Sequence, residues 1–500
     1  MGSSIVRNII GAILLIVLSF IIGIMAADSS KQAAFIIMSL VGIIGVVALG
    51  KNVWIALLIL IPIGQAVSPA EKPYEFVISG FILAYWIILR SLGQVRFTWR
   101  KLYGADILLV LFISYVIFSF CKNPASLTFV NQLLGIKTEV IATAVYPVSV
   151  ASVLLYIALS CITFEKKQLY TALKWGMIAK LIVLAFMGIV SLRTALLTTS
   201  LSSMHSDERI AHFTTLAIYM VIYFYAGKPL RKILTSPSSL LGVSLSALMI
   251  LYGGFRGRVA RYVLLVFAIA TLKKEYSAII LSLVLSLGVL TFLHKTDSVS
   301  SLPYAVRRVL SPLPIIGEKT MVARETMSSN EWRIEMWKWA LDPRTRYIKD
   351  YTWGDGITFN PDELLRMNYR QEEGDQTINA KLRSWHSGFI YILQAFGIVG
   401  TTLFECCLLY GLFTMCRISS SLRGTPYFMP CIFYNYYNLY AILFFNIAAG
   451  GLVEASKFVT NFAYLKIFND IANEHGRLRV KRTPYTPLLM REEKNDIIQA

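Results

Sequence analysis

Apolar runs recur from one end of this chain to the other, some of roughly twenty residues, the length that crosses a bilayer core as a helix, and several shorter. Inside lipid every backbone N–H and C=O must be satisfied within its own segment, so such runs fold as helices. The expected spans are 9–25, 33–49, 53–67, 76–89, 105–120, 141–162, 175–192, 213–226, 240–252, 259–272 and 276–293. Three more follow a long polar stretch, at 388–415, 428–447 and, weakly, 458–472. Composition agrees: 56% of the 500 residues are hydrophobic and 15% are charged, far from the balance of a soluble domain. The expected fold class is all-α, a polytopic transmembrane helical bundle of about twelve to fourteen spans with a large extracytoplasmic loop domain before the last ones.

The formal charge of +19 raises the question of nucleic acid. The basic residues fall in short clusters between apolar runs, with no aromatic-basic domain that would grip bases, so membrane topology and anionic lipid explain the excess and no nucleic-acid partner is expected. With Arg7 taken as cytoplasmic, alternate loops are basic: Arg90 to Lys101, then Lys166 and Lys167, Lys228 to Lys232, Lys273 and Lys274, Arg417 and Arg423. That pattern puts both termini on the cytoplasmic side of the membrane and 294–385 outside. The units expected are an N-terminal transmembrane bundle (1–293), an extracytoplasmic loop domain (294–385), C-terminal transmembrane helices (386–472) and a cytoplasmic basic tail (473–500). The first span has a long core and a poor cleavage site, so it reads as uncleaved. Six cysteines all lie in or beside apolar runs, which leaves no disulfide framework or cysteine metal site to read.

Three features gather on the expected outer face, where positive charge needs a reason of its own. Tyr252 to Arg258 (YGGFRGR) brings Arg256 and Arg258 next to glycines, with Arg261 following. Guanidinium forks match phosphate oxygens, although long basic side chains also snorkel at an interface. The segment from His205 to His212 (HSDERIAH) carries Arg209. As a helix it would set its histidines about 10 Å apart, too far to share one zinc. Arg209 is either an anion ligand or a solvated partner of Asp207 or Glu208. His386 closes the long polar stretch, either capping a helix or taking a proton near neutral pH. Within that stretch 330–341 (NEWRIEMWKWAL) reads as an amphipathic helix capped by Ser329 or Asn330, its Trp332, Met336 and Trp339 suited to lying in the membrane interface.

In combination these pieces resemble the O-antigen ligase / O-antigen polymerase superfamily of bacterial envelope glycosyltransferases, over about the last 300 residues. The carrying residues are Arg209 ahead of a span, the Phe255-Arg256-Gly257 turn, and Arg333, Trp337 and Ala340 on one helix. They continue with the Gly354-x-Gly356 turn, then His386 with Gly397 and Gly400, and a late acid, Glu454. The chain departs from the pattern at Ser387, where Asn is usual, at Phe255, where Ser is common, and at Thr352-Trp353, where a proline is usual.

The resemblance implies transfer of a glycan from a polyprenyl-pyrophosphate donor to a hydroxyl of a glycan or lipid-linked acceptor, without a metal or other cofactor. Arg209, Arg256 and Arg258 are then expected to hold the pyrophosphate, His386 to act as base, and Arg333 and Glu454 to support them. The alternative from another class is a transporter or flippase of lipid-linked glycans, for which internal repeats and charges at mid-membrane are the signs. No repeat is visible, and Lys180 is the main charge inside an expected span. A scaffold for envelope polysaccharide assembly is the third class.

Overall fold

The computed structural model describes residues 49–67, 74–122, 145–198, 211–253, 255–296, 301–302, 304–310, 321–345, 347–356, 385–448 and 452–482. Every regular element among them is helical. In chain order these are α1 (Trp54–Val67), α2 (Tyr74–Ser91), α3 (Tyr103–Lys122), α4 (Val145–Cys161), α5 (Lys166–Thr198) and α6 (Ala211–Val221), whose last turn widens into a π-helical stretch at Ile222–Ala226. There follow α7 (Leu230–Thr235), α8 (Pro237–Tyr252), α9 (Arg256–Lys273), α10 (Tyr276–Lys295), α11 (Tyr304–Leu310) and α12 (Met321–Leu341). The series ends with α13 (Gly388–Leu422), α14 (Phe428–Asn435), α15 (Tyr437–Ala448) and α16 (Leu452–Arg482).

Local chemistry sets several boundaries. Pro237 opens α8 at a position where its missing N–H costs nothing. Lys274, left-handed at φ 62°, closes α9 and turns the chain into α10. Gly424 at φ 77° follows the end of α13.

Among the described residues, three helical stretches are long and apolar enough to cross a membrane: Gln168–Val190 in α5, α10 and α13. They differ in setting. Most of α13 is buried, 61% against 6% for α10, which exposes its apolar surface nearly all round and packs mainly on α9. A helix apolar on every side and left uncovered needs lipid or a partner around it. The centre is therefore α13, which lies against α3, α12, α15 and α16. There Phe112 of α3, Phe396 and Phe404 of α13 and Phe458 of α16 meet in edge-on and tilted pairs 5.0–6.3 Å between ring centroids. Outside this, α16 packs on α4, α4 on α2, α1 on α5, α5 on α6 and α6 on α8.

The helices have two chemically different ends. At one, Arg100 pairs with Asp470 at 3.1 Å and donates to Leu159 O, Lys273 donates to Lys228 O, and Arg423 donates to Leu272 O. That end collects the basic clusters of the alternate loops. The opposite end holds Lys122 at the close of α3, the start of α9 and the start of α13.

Several expectations change. Residues 1–48, with the expected spans at 9–25 and most of 33–49, lie outside the described residues. The helix expected from 259 starts at Arg256, so its arginines are helical rather than part of a turn. The helix expected at 330–341 starts at Met321, which removes Ser329 and Asn330 as caps. Its apolar face is docked on protein: Met336 and Ala340 pack with Trp385 and Ile390, and Trp332, Trp337 and Trp339 close around them. The run at 428–447 divides into α14 and α15 at Tyr436.

Candidate functional site

The end of the molecule that carries His386 is built on a broken helix. Gly397 interrupts α13 with φ 63° and ψ −172°, a conformation that non-glycine residues rarely adopt. The break frees backbone groups, and a glycine turn takes them up. Asp355 N donates to Gln394 O at 2.8 Å, Gly356 N to Ala395 O at 3.0 Å, and Ile398 N to Tyr351 O at 2.7 Å. Tyr115 of α3 donates to Phe396 O at 2.7 Å. Close approach explains the glycines: a Cβ on Gly354 would lie 2.5 Å from Ala395 O, and one on Gly397 2.3 Å from Thr352 O. Asp350 shapes the turn by accepting from Thr352 N and Trp353 N, and Lys122 clamps it through Asp350 and Gly354 O. The Lys122 ammonium and these N–H groups hold the Asp350 carboxyl below its ordinary range.

On this frame sits His386. Trp385 before it is fully buried, donates Nε1–H to Gln394 Oε1 at 2.8 Å, and accepts at its carbonyl from Trp337 Nε1 at 2.7 Å. Ser387 after it caps α13 by accepting from Ile390 N and donates to Asn446 O of α15 at 2.7 Å. Anchored on both sides, His386 is held at φ 50°, in the left-handed region. Strain of this kind costs roughly 1–3 kcal/mol and persists where the surroundings enforce it. The imidazole is half-buried, edge-on to Trp332 of α12 at 5.8 Å. Burial, then the Arg333 guanidinium, push its pKa below the ordinary 6.5 and so favour the neutral base.

Three helices carry cations at this end of the molecule. The first two turns of α9 carry Arg256, Arg258 and Arg261, with no acid in the first turn. A cation at a helix N-terminus works against the macrodipole, so this placement is not explained by helix stability. Arg258 bonds Thr214 of α6 and lies over the Phe255 ring at 4.4 Å. Arg261 lies over Tyr440 and Phe444 of α15, the second of which is half a turn from the Asn446 that holds Ser387. The short α11 carries Arg307 and Arg308 and packs against α8, α9 and α12. Arg333 on α12 is depressed by burial and by the Arg308 charge. Among the described residues, Nε of Arg261, Arg307 and Arg333 is buried with no hydrogen-bond partner. An orphaned buried donor costs roughly 1–3 kcal/mol, more on a charged group.

The structure thus brings Arg333, Trp337, Ala340, Gly354, Gly356, His386, Gly397 and Gly400 into one constellation. Arg256 and Arg258 share the same end, with Arg258 turned toward α6. Arg209 and the rest of the 205–210 segment lie outside the described residues. Glu454 falls in the first turn of α16, and its side chain lies outside them as well. The sequence reading missed Arg307, Arg308, Lys122 and Asp350. The arginine pair was open to the same positive-inside argument as Arg256, whereas the Lys122–Asp350 pairing joins positions 228 residues apart and has no local signal.

A second buried cation was also missed. Lys466 of α16 is fully buried, bonded to Asp106 at 2.5 Å and Ser160 at 3.0 Å, with Trp99 and Tyr156 rings at 4.1 and 4.2 Å. Comparison with protein-family models finds no match, and comparison with curated proteins finds no similar sequence.

Proposed function

We propose that this chain is a polytopic membrane glycosyltransferase of the O-antigen ligase/polymerase type. It moves a glycan from a polyprenyl-pyrophosphate carrier to an acceptor hydroxyl at the outer face of the cytoplasmic membrane. What carries the reading is the half-buried imidazole of His386, its pKa lowered by burial and by the Arg333 guanidinium, at the end opposite the basic loop clusters. A neutral imidazole there draws the proton from the acceptor hydroxyl as its oxygen attacks the anomeric carbon. The sugar–phosphate bond breaks with inversion, and the charge left on the diphosphate is met by fixed guanidinium groups. Arg209, Arg256 and Arg258 remain the first candidates for that role, with Arg333 holding His386 neutral. The apolar sides of α5, α10 and α13 would face lipid and the polyprenyl tail.

A transporter of lipid-linked glycans is the second reading. Two observations favour it: the helix break at Gly397 and the cations Lys180 and Lys466 buried between helices. Both lysines, however, are engaged in fixed contacts, Lys180 with Tyr219 at 2.6 Å and Lys466 with Asp106. A deletion strain tests the transfer reading and separates its two forms. Loss of all attached glycan indicates a ligase, and single units without a ladder indicate a polymerase. Unchanged glycan on a lipopolysaccharide gel and in the medium would rule out transfer.

A further inference from the structure

Glu405 is an acid inside an apolar helix. It lies about two turns beyond the break at Gly397 in α13, a helix long and apolar enough to span a membrane. A polar side chain within such a span is costly in lipid and marks a functional position. Glu405 is half-buried and joins no ion pair among the described residues. Its carboxyl is hydrogen-bonded instead to the side chain of Asn446 on α15. Asn446 stands in the last turn of α15, where a helix leaves its carbonyls without intrahelical partners. Its backbone O accepts from Ser387 Oγ at 2.7 Å, and its Nδ2 also donates to Ile442 O at 3.0 Å.

Three segments therefore meet at one point: α13 beyond its break, the end of α15, and the start of α13 next to His386. The packing there is close. Phe404 and Phe445, the neighbours of Glu405 and Asn446, stand 4.9 Å apart between ring centroids, and a Cβ on Gly388 would lie 2.4 Å from Phe445 O. We propose that Glu405 is a positioning residue for His386, acting through Asn446 and Ser387. The break at Gly397 separates the two halves of α13, and the glutamate ties one to the other across α15. With that tie the left-handed backbone at His386 is held. Without it the end of α15 frays, Ser387 loses a fixed acceptor, and the imidazole leaves its seat. What the position requires is a hydrogen-bond acceptor, so a carboxamide serves there and a thioether of similar length does not. The inference rests on the transfer reading for what His386 does, not for the tie itself.

The test has two arms, both on full-length protein in nanodiscs. The first needs no glycan: diethyl pyrocarbonate is added at one pH above the ordinary imidazole range, and mass spectrometry follows modification of His386. Glu405→Met is modified at least about threefold faster than wild type, whereas Glu405→Gln matches wild type. The second arm measures transfer from a polyprenyl-diphosphate-linked glycan. In Glu405→Met kcat falls at least about tenfold while KM for the donor is unchanged, and Glu405→Gln recovers most of the rate. Asn446→Leu behaves as Glu405→Met does, and the double variant loses no more than either single one, because both cut the same chain of bonds. Melting temperature identifies a variant that fails to fold; if Glu405→Met does, Asn446→Leu carries the test. A folded Glu405→Met with the wild-type modification rate and kcat overturns the proposal. So does an equal loss in Glu405→Gln, since the charge and not the acceptor would then matter. If His386 loosens but the wild type transfers nothing, the positioning stands and the transfer reading falls. If the wild type transfers and the folded variants match it, the reading stands and this inference falls.

Discussion

At the scale of single residues, His386 and Gly397 carry the most information, because both hold backbone conformations that their surroundings impose. Gly397→Ala adds a Cβ at φ 63° within 2.5 Å of the 352–354 backbone. It is expected to lose at least about 2 kcal/mol of stability, read as a lower melting temperature in detergent. For His386 the sign of the pH dependence follows from its neighbours. A depressed pKa keeps the imidazole neutral to below 6.5, so kcat/KM holds on the acid side and falls only at lower pH. Arg333→Gln removes the cation, raises that pKa, and moves the acid limb to higher pH. A limb that stays in place in this variant would show that Arg333 does not act on the base. The residue types were legible from sequence. The strain was not, since a positive φ at histidine comes from anchors such as Trp337 and Asn446, which lie 49 and 60 positions away.

At the scale of elements, apolar runs announced the helices among the described residues. What the sequence concealed was docking. The stretch at 330–341 has the periodicity of a helix lying on a membrane, but the same tryptophans pack on Trp385 and Ile390, and periodicity cannot tell lipid from protein as the apolar partner. Trp337→Phe tests this. It keeps an aromatic side chain, though a smaller one, and deletes the bond to Trp385 O, so stability should fall by at least about 0.5–1.5 kcal/mol. Transfer should fall further than stability does, because Trp385 positions His386. Activity unchanged in a destabilised protein would mean that α12 supports the fold and not the base. The joining of the glycine turn to the break in α13 was equally hidden, for each half is an ordinary glycine pair until the other is beside it.

At the scale of the whole molecule, the separation of charge between two ends is the organising feature. Arg100, Lys228, Lys273 and Arg423 gather at one end, Lys122, Asp350, His386 and Arg333 at the other. Alternate clusters of Lys and Arg carry the expected orientation of these ends, which needs no knowledge of packing. Single cysteines placed at Glu331 and Lys274, both on exposed polar positions, convert it into a measurement. An impermeant thiol reagent added to intact spheroplasts should label the Glu331→Cys protein and spare Lys274→Cys until the membrane is opened. The reverse pattern would place the arginines in the cytoplasm and remove their rationale.

The most direct measurement follows a synthetic polyprenyl-diphosphate-linked glycan in proteoliposomes holding the purified protein and an acceptor. Free polyprenyl diphosphate should be released in step with glycan joined to the acceptor, with a loss of about 10²–10⁴ in rate for His386→Ala. Donor that crosses the bilayer intact, with no diphosphate released by the wild type, would contradict the transfer reading.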